Sequence, residues 1–293
     1  MDSKKHMSSR KRTFLAITIP ILALFFLFNT FPLLQGFAYS LTNFRGFGDY
    51  DFVGLRNYYY LFQDPRVGHS YLFTFGYAIV STIITNVISL ILALGLTGKI
   101  VGKSALRGIY FIPNILGALV VGYVFSFFFT YVLPSVGQSL GIEGLSSSIL
   151  SSSSTAWFGI VVVGCWQAIA LNTIIYISGL ETVPQDVYEA ASIDGATGWK
   201  RFRYITFPLI MPFFTINMVL CMKNFLMVFY QIMALTKGGP SQSTESISYL
   251  IYQNGIGGGQ FGFQSANAVI YFVVIVAISV FQMKFLGSKE EQL

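Results

Sequence analysis

Apolar residues in this chain come in runs too long for the helices of a soluble domain, separated by short polar segments. Six stretches stand out: Phe14–Tyr39, Tyr71–Leu96, Ile109–Leu133, Trp157–Leu180, Pro208–Leu235 and Phe263–Leu286. A helix needs about 20 mostly apolar residues to cross the hydrocarbon layer. The pattern therefore predicts an all-α, polytopic membrane protein with six transmembrane helices. It divides into a tail over residues 1–13, a six-helix domain over 14–286 and a closing tail over 287–293. Polar character returns over Thr97–Arg107 and Glu181–Phe207, and the longest connection, Asn43–Ser70, is too short for a second folded unit. No internal repeat of solenoid length is present.

Composition agrees. Hydrophobic residues make up 54% of the 293 and charged residues 10%, with a mean hydropathy of +0.65. A soluble domain carries about 25% charge, so the apolar surplus here must face lipid. The 29 Phe and 17 Tyr suit lipid-facing helices with aromatic anchors. The net charge of +6 matters less than where it lies. Lys4, Lys5, Arg10, Lys11, Arg12, Lys99, Lys103, Arg107, Lys200, Arg201, Arg203, Lys284 and Lys289 fall on one side of the six-helix topology. Only Arg45, Arg56, Arg66 and Lys237 fall on the other. Basic residues in short loops mark the cytoplasm, so both termini and the even loops are predicted to be cytoplasmic. The first run exceeds a signal-peptide core and lacks a small-residue cleavage site, so it reads as a retained helix, bent by Pro20 and Pro32.

Several chemistries lose their footing. Cys165 and Cys221 both lie in apolar runs, which removes a disulfide framework. His6 and His69 are the only histidines and cannot build a metal centre. No Gly-rich loop ends in Gly-Lys-Ser/Thr, so nucleotide binding by that route is excluded. No acidic residue falls inside a predicted span, which argues against an ion-coupled carrier. The serine-rich stretches 146–148 and 151–154 read as a flexible or capping connection before Trp157.

The most informative polar segment is Val187–Pro208. Helix formers from Tyr188 to Ile193 end at Gly195, and a second short helix is expected over Trp199–Tyr204, stopping before Pro208. The product is a helix–turn–helix on the membrane surface, with Ala190 and Ala191 small enough for another protein to approach. Glu189, Ala190, Ala191, Asp194, Gly195 and Ala196, then Phe202, Ile205, Pro208 and Pro212, closely resemble the EAA loop of binding-protein-dependent ABC importer permeases. Phe207 replaces the usual Leu before the first proline. Trp166, Gly179-Leu180, Val183-Pro184, Leu235–Pro240, Phe261–Phe263 and Ser265-Ala266 extend the likeness to the MalF-type carbohydrate branch.

The resemblance implies a bacterial or archaeal inner-membrane subunit paired with a second EAA-type permease, a cytosolic ABC ATPase dimer and an extracytoplasmic solute-binding protein. It implies no enzyme activity and no cofactor in this chain, ATP and magnesium being held by the ATPase, and no nucleic acid. The loop Glu181–Phe207 would dock on the ATPase, with Glu189, Ala190, Ala191, Asp194, Gly195 and Ala196 as coupling residues. The family's sugar contacts map onto Cys165, Gln167, Ala168 and Leu171, then Cys221, Asn224 and Phe225. Lys223 lies deep in the fifth run, where a lysine costs about 2.5–3.5 kcal/mol. Meeting an anionic solute such as an acidic sugar or phosphorylated polyol, pairing with the second permease subunit, and snorkelling all remain open readings at this point.

Overall fold

The computed structural model describes residues 2–98 and 103–290, and Lys99 lies outside the described residues. Among them the chain is helical, with a single isolated antiparallel bridge between Thr42 and Phe52. Five helices are long and apolar enough to cross a membrane, and a pair bent by 71°, Gly198–Leu209 with Met211–Leu226, adds a sixth where the two count as one span. The chain divides into two compact units, one from residues 1–64 with 251–271 and one from 65–250 with 272–293.

In the first unit, α1 (Phe14–Ser40) keeps all of its apolar window unburied, and a short α2 (Arg56–Leu61) follows. Asn57 donates to the Ser40 and Thr42 carbonyls, both at 2.8 Å, satisfying groups freed where α1 ends. The Tyr39 ring stacks on Phe44 at 4.6 Å, and Phe261 meets both rings edge-on. Gly262 is required beside them, because any Cβ would run into the Thr42 carbonyl.

The second unit is built around α3 (Pro65–Thr97) and α6 (Ser153–Glu181). Polarity on α3 is reversed relative to a soluble helix. Ser70, Thr74, Tyr77, Ser81, Thr85 and Ser89 recur every three or four residues and are buried, while Ile83, Val87 and Ile91 are exposed. In lipid, apolar burial does not drive helices together, so small and hydroxyl side chains that allow close approach form the contact face. Tyr176 of α6 donates to Asn86 of α3 at 2.7 Å. The N-terminal end of α3 is clamped by Arg66, whose Nε and Nη2 each meet a Glu245 carboxylate oxygen at 2.7 Å. Glu245 is 3% exposed and Arg66 33%, so Arg66→Met strands a buried carboxylate. The expected cost is about 3 kcal/mol, at the low end for a broken buried pair because Arg66 is partly solvated. It should appear as a lower unfolding temperature that Arg66→Met/Glu245→Met largely restores.

Three predicted boundaries are corrected. The third run is not one helix: α4 (Lys103–Ile115) stops after Pro113, Gly117 is extended (φ −60°, ψ 133°), and α5 (Ala118–Ser139) restarts. The helix after Gly195 does not stop before Pro208. It runs as α8 (Gly198–Leu209) through a π turn, where Phe207 N–H donates to the Phe202 carbonyl, and breaks only at buried Ile210. There the chain bends by 71° into α9 (Met211–Leu226). Pro212 lies in the first turn of α9, where its missing N–H is harmless. Finally, α9 ends at Leu226 and α10 (Tyr230–Leu235) begins after a break, so the fifth run is also discontinuous. The chain continues through α11 (Ile247–Tyr252) to α12 (Phe261–Glu290). The serines before α6 close local turns, Ser151 Oγ donating to the Ser148 carbonyl and Ser146 Oγ to that of Glu143.

Candidate functional site

The hairpin between α6 and α8 is built from a short helix, α7 (Gln185–Ile193), and a glycine stop. Gly195 has φ +77°, a conformation costly to residues bearing a Cβ. Its N–H donates to the Ser192 carbonyl at 3.3 Å, and the Ala196 N–H donates to the Ala191 carbonyl at 2.8 Å. These are the two bonds of a Schellman stop. Arg201 of α8 lies over the Tyr188 ring of α7 at 5.4 Å, fixing one short helix against the other. Glu189, Ala190, Asp194 and Gly195 are exposed, Ala196 is half-buried, and Ala191 is buried. Close approach from outside is therefore offered by Ala190, while Ala191 packs inward. The sequence reading passed over Ile193, which is 87% exposed at the tip, and Trp199, 73% exposed. An apolar side chain out of phase with its helix was the available signal.

A line of rings leads inward from this hairpin. Trp199 meets Phe202 at 5.2 Å, Phe202 meets Phe207 at 5.9 Å, and Phe207 meets Phe214 at 5.4 Å. Phe214 packs on the cluster of Ala93, Leu96, Tyr176, Ile177, Leu180 and Ile210. The hairpin thus grips α9 through packed aromatic contacts across the 71° bend.

At the far end of α9 lies a cavity of about 170 Å³, between the break in the third run and the break in the fifth. Gln167 and Ala168 of α6 and Asn224 and Phe225 of α9 line it together. Tyr77, Asn114 and Gln231 join them and were not anticipated; the latter two were legible as polar residues inside apolar runs. Gln167 Nε2 donates to the Leu116 carbonyl at 2.9 Å, answering an acceptor freed by the helix break. Gln231 Nε2 donates to Gln167 Oε1 at 3.3 Å. The Tyr77 hydroxyl is buried with no hydrogen-bond partner among the described residues. It lies where a Cβ on Gly164 would be, so only glycine admits it. No charged side chain lines this cavity.

Residues 85–290 match the family of binding-protein-dependent transport system inner membrane components. The chain belongs to that family. It is 35% identical to the probable starch degradation products transport system permease protein AmyD of Thermoanaerobacterium thermosulfurigenes, covering 89% of this chain and 88% of that one. It is 36% identical to the multiple sugar-binding transport system permease protein MsmF of Streptococcus mutans, covering 93% of each. Its fold matches a crystal structure of a bacterial ABC transporter involved in alginate import, with a TM-score of 0.82, 20% identity and 96% of both chains covered.

In this permease the other residues mapped from the resemblance do not line the cavity. Cys165 and Cys221 are buried in the apolar cluster with Tyr77 and Phe225, and Cys165 Sγ donates to the Ser81 carbonyl at 3.6 Å. Leu171 is exposed and lines no part of the cavity. Lys223 is exposed in the last turn of α9, where a cation suits the helix dipole, and it too is absent from the lining.

Proposed function

We propose that this permease is the membrane subunit of an ATP-binding-cassette importer that carries an uncharged carbohydrate into the cytoplasm. The observation that carries this reading is the cavity itself: four side-chain amides, a buried unpartnered tyrosine hydroxyl and the Phe225 ring, placed at two helix breaks and free of charge. Amides and hydroxyls both donate to and accept from sugar hydroxyls, and an aromatic face stacks on a pyranose ring. Discontinuous helices near the bilayer midplane are where transporters place solute sites. Relatives named for starch degradation products and for multiple sugars support the same class.

In this scheme the α7–α8 hairpin lies on the cytoplasmic face and seats in a cleft of an ABC ATPase. Glu189 meets a polar or basic group there, and exposed Ile193 fills an apolar depression. ATP and magnesium stay on the ATPase dimer. Closure of that dimer tilts the hairpin, the ring contacts move α9, and Asn224 and Phe225 move with it. A second EAA-type permease completes the pathway, and an extracytoplasmic binding protein delivers the sugar.

The test is uptake of labelled oligosaccharides by the reconstituted transporter. Asn224→Leu/Gln231→Leu is expected to slow neutral-sugar uptake by about tenfold or more, as losing two hydrogen bonds of about 0.5–1.5 kcal/mol each would. Lys223→Met should leave that uptake unchanged. Preference for an acidic sugar, or its loss with Lys223→Met, would contradict an uncharged solute.

A further inference from the structure

A second cavity, of about 600 Å³, lies wholly within the first unit and is unlike the solute cavity in chemistry. Arg45, Arg56, Asn57 and Gln260 line it beside the rings of Phe44 and Tyr60. The Arg56 guanidinium lies 5.6 Å over the Tyr60 ring. Neither Arg45 nor Arg56 pairs with a carboxylate among the described residues. Asp64 also lines the cavity and is itself engaged. The side-chain amide of Asn57 donates to the Ser40 and Thr42 carbonyls, which leaves the exposed Arg45 and Arg56 guanidiniums as the cavity's cationic donors.

Depth in the membrane decides what such donors meet. Residues 43–45 of the lining follow directly on the end of α1, and residues 259–260 directly precede α12. Between these two span ends Tyr39, Phe44, Tyr50 and Phe261 form one aromatic cluster, with ring centroids 4.6–5.8 Å apart. Aromatic groups of this kind settle at the level of lipid headgroups. Two guanidiniums at that level, over an apolar floor that includes Val53 and Phe263, match the fork geometry that arginine offers to phosphate oxygens.

We propose that this cavity seats the phosphodiester headgroup of an anionic phospholipid, with Arg45 and Arg56 holding its phosphate oxygens and Phe44 and Phe263 bordering its glycerol. The proposal needs only that α1 and α12 cross a bilayer, and it is independent of the solute. Its test uses the assembled, delipidated transporter titrated with phosphatidylglycerol, bound lipids being counted by native mass spectrometry. The wild type is expected to retain one more tightly held phosphatidylglycerol than Arg45→Gln/Arg56→Gln, whose affinity at this site should fall by at least about tenfold. Arg45→Lys/Arg56→Lys keeps the charge without the fork and should weaken binding to a smaller extent; it carries the test if the glutamine pair does not assemble. An uncharged diglucosyl lipid with the same acyl chains should not compete. Retention unchanged in both double variants would overturn the proposal, as would competition by the diglucosyl lipid or full displacement by inorganic phosphate. So would unchanged lipid retention with weakened capture of the solute-binding protein, which would reassign the guanidiniums to acidic side chains of that partner. A transporter that fails to move sugar while still losing the lipid in the glutamine pair would count against the solute reading alone.

Discussion

Gly164→Ala is expected to abolish uptake, because the new methyl group occupies the position of the Tyr77 hydroxyl. Neither side can yield easily. Tyr77 is fully buried, its ring is stacked 6.2 Å from Phe73 and edge-on to Phe225 at 5.5 Å, and Gly164 is locked in the middle of α6. Overpacking a close-packed interior costs typically about 1–3 kcal/mol, and here the displaced group belongs to the cavity proposed for the solute, so activity is expected to fall further than stability. Pairing the change with Tyr77→Phe removes the colliding oxygen. The double variant should regain the thermal stability of the wild type and recover only part of its uptake, since the hydroxyl offered to the sugar is gone. Tyr77→Phe alone should be as stable as the wild type, because no internal hydrogen bond is lost among the described residues. Unfolding temperatures beside uptake rates for the three variants check all of this.

The second large effect concerns the hairpin. Gly195→Pro removes the N–H that reaches Ser192 and imposes a φ near −65° where the chain requires +77°. Both bonds of the stop are then lost and the angle between α7 and α8 changes. Glu189→Lys leaves the backbone alone and reverses an exposed charge that has no partner among the described residues. Each variant should insert in the membrane in normal amount and lose uptake to background, with sugar no longer stimulating ATP hydrolysis by the complex. Gly195→Ala, costing about 1–2 kcal/mol for the left-handed conformation, should fall between. Normal transport in Gly195→Pro would show that this hairpin does not carry the coupling.

Much of the fold was legible because lipid imposes a coarse code. An apolar run of sufficient length becomes a spanning helix whatever its details, and α1, α3, α6 and α12 follow the runs closely. The hairpin was legible for a different reason: a glycine stop with polar flanks is local chemistry, and Gly195 performs it with its nearest neighbours. What hydropathy could not show were the breaks at Leu116–Gly117 and after Leu226. Both lie inside apolar runs that carry only a few polar residues, Asn114 near the first and Lys223 and Asn224 near the second, and a change of φ and ψ leaves mean hydropathy untouched. The second break also puts Lys223 in the last, exposed turn of α9, where hydropathy counted along one straight helix would put it mid-helix. Missing the first break hid Asn114 and the role of Gln167 at the Leu116 carbonyl. Tyr77 could not be told from an interface anchor, because its burial depends on Gly164 in another helix.

The central claim is that mechanical work enters at the α7–α8 hairpin and is spent at an uncharged cavity between two broken helices. Proteoliposomes holding the permease, its partner subunits and the binding protein, supplied with a labelled neutral oligosaccharide, test it most directly. Uptake should require ATP, persist when ionophores collapse every ion gradient, and vanish with Glu189→Lys. Uptake that followed an ion gradient in the absence of ATPase subunits would contradict it.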